Sequence, residues 1–508
     1  MSPRGSDTVT TKWQLVFFKS HLRSAVQRTF LTNLFLLLVL NLLVKPFYIL
    51  GIDAGVQDAV GSEAYGGFAA LLSLSFLLNI LLDLGITNYN TRNIAQHTQL
   101  MGKYLSGIAG VRLLLMVLYA LVTVGAALVL GYRGEQLGML GWLVLNQGLA
   151  ASILYLRSNI AGAQRYRQDS LLSVLDRVLL IAVLGWALWG GHATPFRIEW
   201  LVWAQTGAYV VTLLVALWLV LRLSGRVKPN WRPVFSYMVV RQSLPYALLI
   251  LLMTFYYRTD TLMLERMLPN GALEAGIYAQ GFRFFEAFNM LGFLVAGLLL
   301  PMFSRMLRQG DAVSELVSLA LRLVLVGALA VAVFASMEAQ AIMDLRYSEH
   351  TELSAPAFAV LMWCFVAVCT TYIFGTLLTA GGDLKRLNIM AGFGAVLNIG
   401  LNLVLIPRWH AEGAAWASLV TQVATALVQV VLAVRVFRLD LPWHLVLRTL
   451  LFAAGALAVV LLGRYWGASL PVLFAVYAPA VAVLALATGL LRRSDVSGLP
   501  ILASGKLR

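Results

Sequence analysis

The stretch LNIGLNLVLIPRWHAEGAAWASLVTQ, Leu397 to Gln422, decides the architecture. An apolar helix carrying Asn398 and Asn402 runs to Pro407, and a polar turn of Arg408, Trp409, His410 and Glu412 follows. A second helix then opens with Gly413, Ala414, Ala415 and Ala417. Asn398 and Asn402 are four residues apart and share one helix face. In lipid such a polar face must turn toward protein or a water-filled cavity. The small residues after the turn let the second helix bring its backbone close to a neighbour. A tight hairpin in any helical membrane protein would also read this way.

Working outward, the chain of 508 residues is 60% hydrophobic and only 12% charged, with mean hydropathy +0.82. Soluble proteins carry about 25% charged residues. Half that, with recurring apolar runs of about twenty, reads as an all-α polytopic membrane protein. No signal-peptide cleavage pattern is expected, because Met1 to Arg28 is polar and basic before the first long apolar run. Cys364 and Cys369 share one apolar run and read as packing residues rather than a disulfide framework. The six histidines are scattered, so no metal site is expected, and nothing points to a cofactor.

About fourteen spanning helices are predicted, near 30–50, 64–86, 104–130, 138–156, 171–190, 199–221, 243–264, 275–301, 315–337, 355–380, 388–406, 413–434, 444–462 and 471–491. With the N-terminus inside, alternation puts 25 lysines and arginines in inside segments. Only Arg133, Arg197, Arg266, Arg346, Arg408 and Arg464 fall outside. That bias predicts cytoplasmic termini and accounts for the net charge of +15 without nucleic acid. Trp13 to Arg28 mixes apolar and basic residues, as an interfacial helix does, although a solvated leader fits as well. Every loop is short. Even Glu338 to Ser354 leaves no room for an extramembrane catalytic module.

An internal repeat is visible. Glu63-Ala64-Tyr65-Gly66 opens helix two, and Glu274-Ala275-Gly276-Ile277-Tyr278 opens helix eight. The same shift, about 213, sets Lys45 over Arg258. Six helices per unit is even, so both copies would share one orientation. The predicted organisation is a basic segment 1–29, lobes 30–222 and 241–435 joined by a linker 223–240, an appended helix pair within 436–491, and a tail 492–508.

The pattern LNxxLNxxLIPxxxxxGAAxAS resembles the signature helix pair of polysaccharide-unit flippases. These form the O-antigen-translocase-like branch of the multidrug/oligosaccharidyl-lipid/polysaccharide exporter superfamily. Ala64-Tyr65-Gly66 with Asp83-Leu84-Gly85-Ile86 and Arg92, and Arg258-Thr259-Asp260 with Gly276-Ile277-Tyr278, are similar to further motifs of that family. Members usually carry a glycine in the signature turn, where this chain has Trp409, His410 and Ala411. The resemblance implies a transporter rather than an enzyme, in the bacterial inner membrane. Its substrate would be an undecaprenyl-pyrophosphate-linked oligosaccharide for surface polysaccharide or lipopolysaccharide, moved by alternating access. Membrane lipids, and polymerase or chain-length proteins of the same pathway, would be its partners, and nucleic acid would not.

Charges inside the predicted helices test that implication. They are Lys45, Arg112, Arg177, Arg258, Arg283, Arg322 and Arg448 against Asp83, Asp176, Asp260 and Glu286. Each costs about 2.5–3.5 kcal/mol at mid-bilayer on insertion scales, so each needs water or a counterpart. Asp83, Arg177, Arg322 and Arg448 lie close enough to helix ends to snorkel, and Asp176 adjoins Arg177. Lys45, Arg112, Arg258 and Arg283 are the candidate substrate-binding cations. Pairs Arg258–Asp260 and Arg283–Glu286 would otherwise be self-neutralising. Asp260 and Glu286 are candidate ion-coupling acids. A cationic surplus suits a pyrophosphate, whereas an exporter of cationic drugs, the main alternative, needs acidic cavities. A membrane-embedded glycosyltransferase or polymerase is the remaining one, and the first outer loop offers it only Asp53, Asp58 and Glu63, which read as a solvated connection.

Overall fold

The computed structural model describes residues 39–87, 90, 94, 101–163, 165–191, 195–224, 233–440 and 443–491. The predicted basic N-terminal segment, most of the linker and the tail lie outside the described residues. Fourteen helices lie among the described residues, in chain order. They are α1 (Val39–Val60), α2 (Ser62–Leu77), α3 (Met101–Val129), α4 (Glu135–Gly162), α5 (Tyr166–Trp189), α6 (Ile198–Ser224) and α7 (Pro233–Met267). Then come α8 (Gly271–Gln309), α9 (Ser314–Met337), the short α10 (Ala339–Arg346), α11 (Thr351–Ala380), α12 (Leu384–Phe437), α13 (Trp443–Tyr465) and α14 (Leu470–Ala487).

Twelve helices among the described residues are long and apolar enough to span a bilayer. One of them, α12, has 54 residues and is broken at His410. At 1.5 Å per residue it measures about 80 Å, enough for two passes of a ~30 Å hydrocarbon core. Asn402 before the break and Ser418 after it reach the same carboxylate, so the two halves lie side by side. The backbone of Gly413 sits so close to the Leu405 carbonyl that a Cβ there would stand 2.3 Å from it. The hairpin expected from the signature is therefore present, and its buried Ala411, Ala414, Ala415 and Ala417 make the close packing. The chain is a multi-pass membrane protein.

The turn is tighter than the sequence suggests. Helical geometry persists through Pro407 to Trp409, and one residue breaks it, His410 at φ 52° and ψ −129°. That conformation favours glycine and costs another residue about 1–3 kcal/mol. Glu274 holds it, accepting from His410 Nδ1 at 2.8 Å and from the Ala411 N–H at 3.2 Å. His410→Gly removes the strain and forfeits one exposed bond worth about 1 kcal/mol. The thermal midpoint is expected to rise by on the order of 1–2 °C. A midpoint that falls would show that the clamp outweighs the strain.

Among the boundaries that differ from expectation, two shape the site. The first helix does not end at 50 but runs to Val60 through a π-helical turn, Tyr48–Asp53, so only Gly61 separates it from α2. Pro46, with no N–H to donate, lies just before that turn. Helix two, expected to 86, stops at Leu77 and gives way to a 3-10 turn, Asn79–Leu82. Left-handed Leu84 and Gly85 follow, and the Asp83 carboxylate accepts the Thr87 N–H at 3.2 Å.

Packing follows chain order. One set of buried side chains comes from α1 to α6, with Leu262 and Ala279 reaching in from α7 and α8. The other comes from α7 to α14, with Ala54 reaching in from α1. Phe452, Ala456, Val460 and Tyr477 of α13 and α14 join this second set. Tyr477 donates to the Ala330 carbonyl at 2.9 Å, and Arg464 pairs with Glu338 at 2.7 Å.

The two sets meet where α2 crosses α8. A Cβ at Gly66 would lie 1.7 Å from the Ala272 oxygen, and one at Gly276 would lie 1.8 Å from the Ser62 oxygen. Each glycine thus faces the carbonyl four residues before its counterpart, a reciprocal crossing of the two motif helices. Gln57 donates to the Gly276 carbonyl at 2.7 Å and Gln280 to Ser62 Oγ at 3.2 Å. Arg346 donates to the Leu50 and Gly51 carbonyls of the π turn at 2.7 and 3.1 Å. All these ties lie at one end of the bundle, where α2, α4, α6, α8 and α11 begin. It is called the arginine-poor end below.

Candidate translocation cavity

Below the α2–α8 crossing lies a cavity of about 440 Å³, walled by α1, α2, α5 and α6 on one side and α7 and α8 on the other. Its charged lining is Lys45, Arg177, Arg258 and Arg283 against Asp53 and Glu286. Four cations face two carboxylates.

The four cations are held differently. Lys45 on α1 is half-buried and has no ion pair among the described residues. Arg177 on α5 lies 3.5 Å from Asp176 and stacks on the Tyr48 ring at 4.6 Å. Arg258 on α7 pairs with Glu286 on α8 at 2.7 Å and stacks on Phe76 of α2 at 4.6 Å. Arg283 on α8 is 5% exposed and binds the Asp53 carboxylate and the Tyr65 hydroxyl. Its Nε also donates to Gln57 Oε1 at 3.4 Å. Arg283 therefore ties α8 to both α1 and α2 at the roof of the cavity.

The expected pairings do not form. Arg258 and Asp260 are two apart and point to opposite sides of α7, where no ion pair is possible. Arg283 and Glu286 share a face, but Asp53 captures the one and Arg258 the other. Asp53 is not a solvated loop residue, because the longer α1 carries it under the roof.

Arg112 lies apart from the cavity. It bonds Asp83 at 2.9 Å and the Ala151 carbonyl at 2.7 Å and stacks on Tyr155 at 4.8 Å, which ties α3 to α4 and to the turn after α2. Asp260 on α7 is buried beside the cavity, against the signature hairpin. Its Oδ1 accepts from Asn398 at 3.0 Å and Asn402 at 2.7 Å, and its Oδ2 from Tyr278 at 3.0 Å and from Ser418. All four partners are uncharged side chains, so both carboxyl oxygens are bonded without a counter-cation. The polar face of the signature thus exists to hold one carboxylate.

Arg177 escaped the sequence reading because its adjacent aspartate and near-terminal position suggested snorkelling. Asp53 and Gln57 lie beyond the helix end that the sequence suggests, and Tyr65 stands on α2 in the repeated motif. The Tyr65 of the repeated motif was the available signal.

The family model described as "Polysaccharide biosynthesis protein" matches residues 30–307, more than half of the chain. The chain belongs to that family. The matched part carries all six charged lining residues, and the match bears out the resemblance read from the sequence. No curated protein matches the chain significantly. Among solved structures, the chain is similar to the lipid II flippase MurJ in an inward closed conformation. The identity is 13%, covering 90% of this chain and 98% of that one, with TM-score 0.68. It is also similar to a Vibrio cholerae MATE transporter, at 15% identity over 82% of this chain and 98% of that one, TM-score 0.59. A third is a MOP superfamily transporter from Pyrococcus furiosus described by the reverse polarity of its binding pocket, at 14% identity over 80% and 94%, TM-score 0.56. The fold is that of MOP superfamily transporters.

Proposed function

We propose that this protein flips an undecaprenyl-pyrophosphate-linked oligosaccharide across the bacterial inner membrane for surface polysaccharide synthesis. The observation that carries the reading is the cavity's surplus of cations, four against two carboxylates, at the junction of the two packing sets. Arginine forks match phosphate oxygens bidentately and Lys45 adds a point charge. The lipid tail stays in the bilayer, and no covalent bond changes. Residues 30–222 and 241–435 act as the two lobes that rock about this cavity, with both termini cytoplasmic and the arginine-poor end outside. A pyrophosphate entering from the inside meets Lys45 and Arg177, the least compensated cations. By competing with Asp53 for Arg283 it loosens the tie between α8 and α1.

MATE transporters share the fold, so the test separates the two substrate classes. A strain lacking this protein is expected to accumulate lipid-linked oligosaccharide on the inner leaflet and lose surface polymer, with unchanged sensitivity to cationic drugs. Drug hypersensitivity with normal polymer would favour a drug exporter.

Ion coupling falls to Asp260 rather than Glu286, since Glu286 is paired with Arg258 whereas Asp260 is a buried carboxyl held only by uncharged partners. Asp260→Asn is expected to make transport independent of an imposed proton or sodium gradient. Gradient dependence like that of the native protein would remove Asp260 from coupling.

A further inference from the structure

A second, larger hollow of about 990 Å³ opens at the arginine-poor end, bounded by the starts of α2, α4, α6 and α8. The two hollows are stacked. The buried ring of Phe68 lines both, so the cationic cavity and the upper bowl share a wall. Below the bowl lie the ties that close the α2–α8 crossing, and Ser62 and the Glu349 backbone on its floor are both held by Gln280. The bowl therefore lies on the same path as the cavity, beyond its closed roof.

Its chemistry is inverted. Glu63, Glu135, Glu199 and Glu349 line it against Arg197, which is already 3.4 Å from Glu199. The other three carboxylates have no ion-pair counterpart among the described residues. Among the described residues no three acidic, histidine or cysteine side chains converge as metal ligands do, so the acids are not a cation cage. Two indoles, Trp142 and Trp203, expose 43% and 51% of their surface. The volume lies in the range of small-ligand sites, about 300–1,000 Å³.

We infer that the bowl is a saccharide site, which receives the sugar portion of the substrate as it leaves the cavity and favours neutral or amino-sugar units over uronic-acid units. Indole faces are electron-rich and pack against the C–H faces of sugar rings. Carboxylates accept hydroxyl hydrogens in charge-assisted bonds and also hold amino-sugar nitrogens. The same carboxylates repel acidic sugars and the pyrophosphate itself, which lets the phosphate leave rather than rebind. The inference rests on the flippase reading for the lipid carrier, but sugar binding by the bowl is testable alone.

The test uses the full chain in lipid nanodiscs with maltotriose, chitotriose and trigalacturonate as probes, titrated by saturation-transfer NMR. Maltotriose or chitotriose is expected to bind saturably, with trigalacturonate weaker. Trp142→Ala and Trp203→Ala are each expected to lose about tenfold or more in affinity. Glu135→Gln, isosteric and exposed, is expected to narrow the discrimination against trigalacturonate and serves if an indole variant misfolds. Failure of both neutral and amino-sugar probes to bind, affinity unchanged in both indole variants, or a preference for trigalacturonate would overturn the inference. If the probes fail to bind while export still depends on Lys45 and Arg258, only the bowl loses its role. If they bind while export ignores Lys45 and Arg258, it is the flippase reading that falls.

Discussion

Lys45→Ala and Arg258→Ala are each expected to abolish surface polymer while the protein remains in the membrane at its normal level. A charge-assisted bond to phosphate is worth about 1.5–3 kcal/mol, which is roughly 10- to 150-fold in binding. Among the described residues Lys45 has no ion pair, so its removal strands no acid there. Arg258 differs, because its loss unpairs Glu286. Arg258→Ala combined with Glu286→Gln separates the two effects. If only the stranded carboxylate mattered, the double variant would export normally. A substrate role is expected to leave it as defective as the single one. Arg258→Lys keeps the charge but not the fork and is expected to fall between. Normal polymer in both alanine variants would reject the assignment of these cations to substrate.

The second large effect is expected at the α2–α8 crossing. With a Cβ at 276 standing 1.8 Å from the Ser62 oxygen, even Gly276→Ala cannot preserve the contact, and Gly276→Leu must separate the helices. Backbone rather than a flexible side chain is the obstacle, so no rotamer change relieves it. Transport is expected to cease, because the roof cannot close. Introducing Ser73→Cys on the cavity wall gives a direct readout. Labelling by a membrane-impermeant thiol reagent added outside is expected to rise at least about tenfold in the Gly276→Leu background, with the buried Cys364 and Cys369 as a measured background. Gly66→Ala, at the reciprocal contact, guards against a local folding defect. Slow labelling and intact transport in both backgrounds would show that the crossing does not seal the cavity.

Much of this was legible in the sequence, and the exceptions have physical causes. Apolar periodicity announced the spanning helices, because lipid leaves the backbone few choices. The Asn398–Asn402 face announced a buried polar contact, yet nothing local said that Asp260, well over a hundred residues earlier, was its target. Lys45 and Arg258 emerged as matched cations and do line one cavity. Arg112 emerged equally strongly and serves instead to tie α3 and α4 together, because a buried cation looks the same in sequence whether it meets substrate or Asp83. Asp53 and Arg177 stayed hidden. A π turn carried the first past its expected helix end, and a neighbouring acid disguised the second.

The most direct measurement is binding of undecaprenyl pyrophosphate, compared with undecaprenol, to the full chain in nanodiscs. The pyrophosphate form is expected to bind tightly and with salt dependence, the alcohol at least tenfold more weakly (about 1.4 kcal/mol), and Lys45→Ala is expected to erase most of that difference. Equal binding of the two lipids, or a preference for the pyrophosphate undiminished in Lys45→Ala and Arg258→Ala, would mean that the cationic hollow does not receive a phosphorylated lipid head.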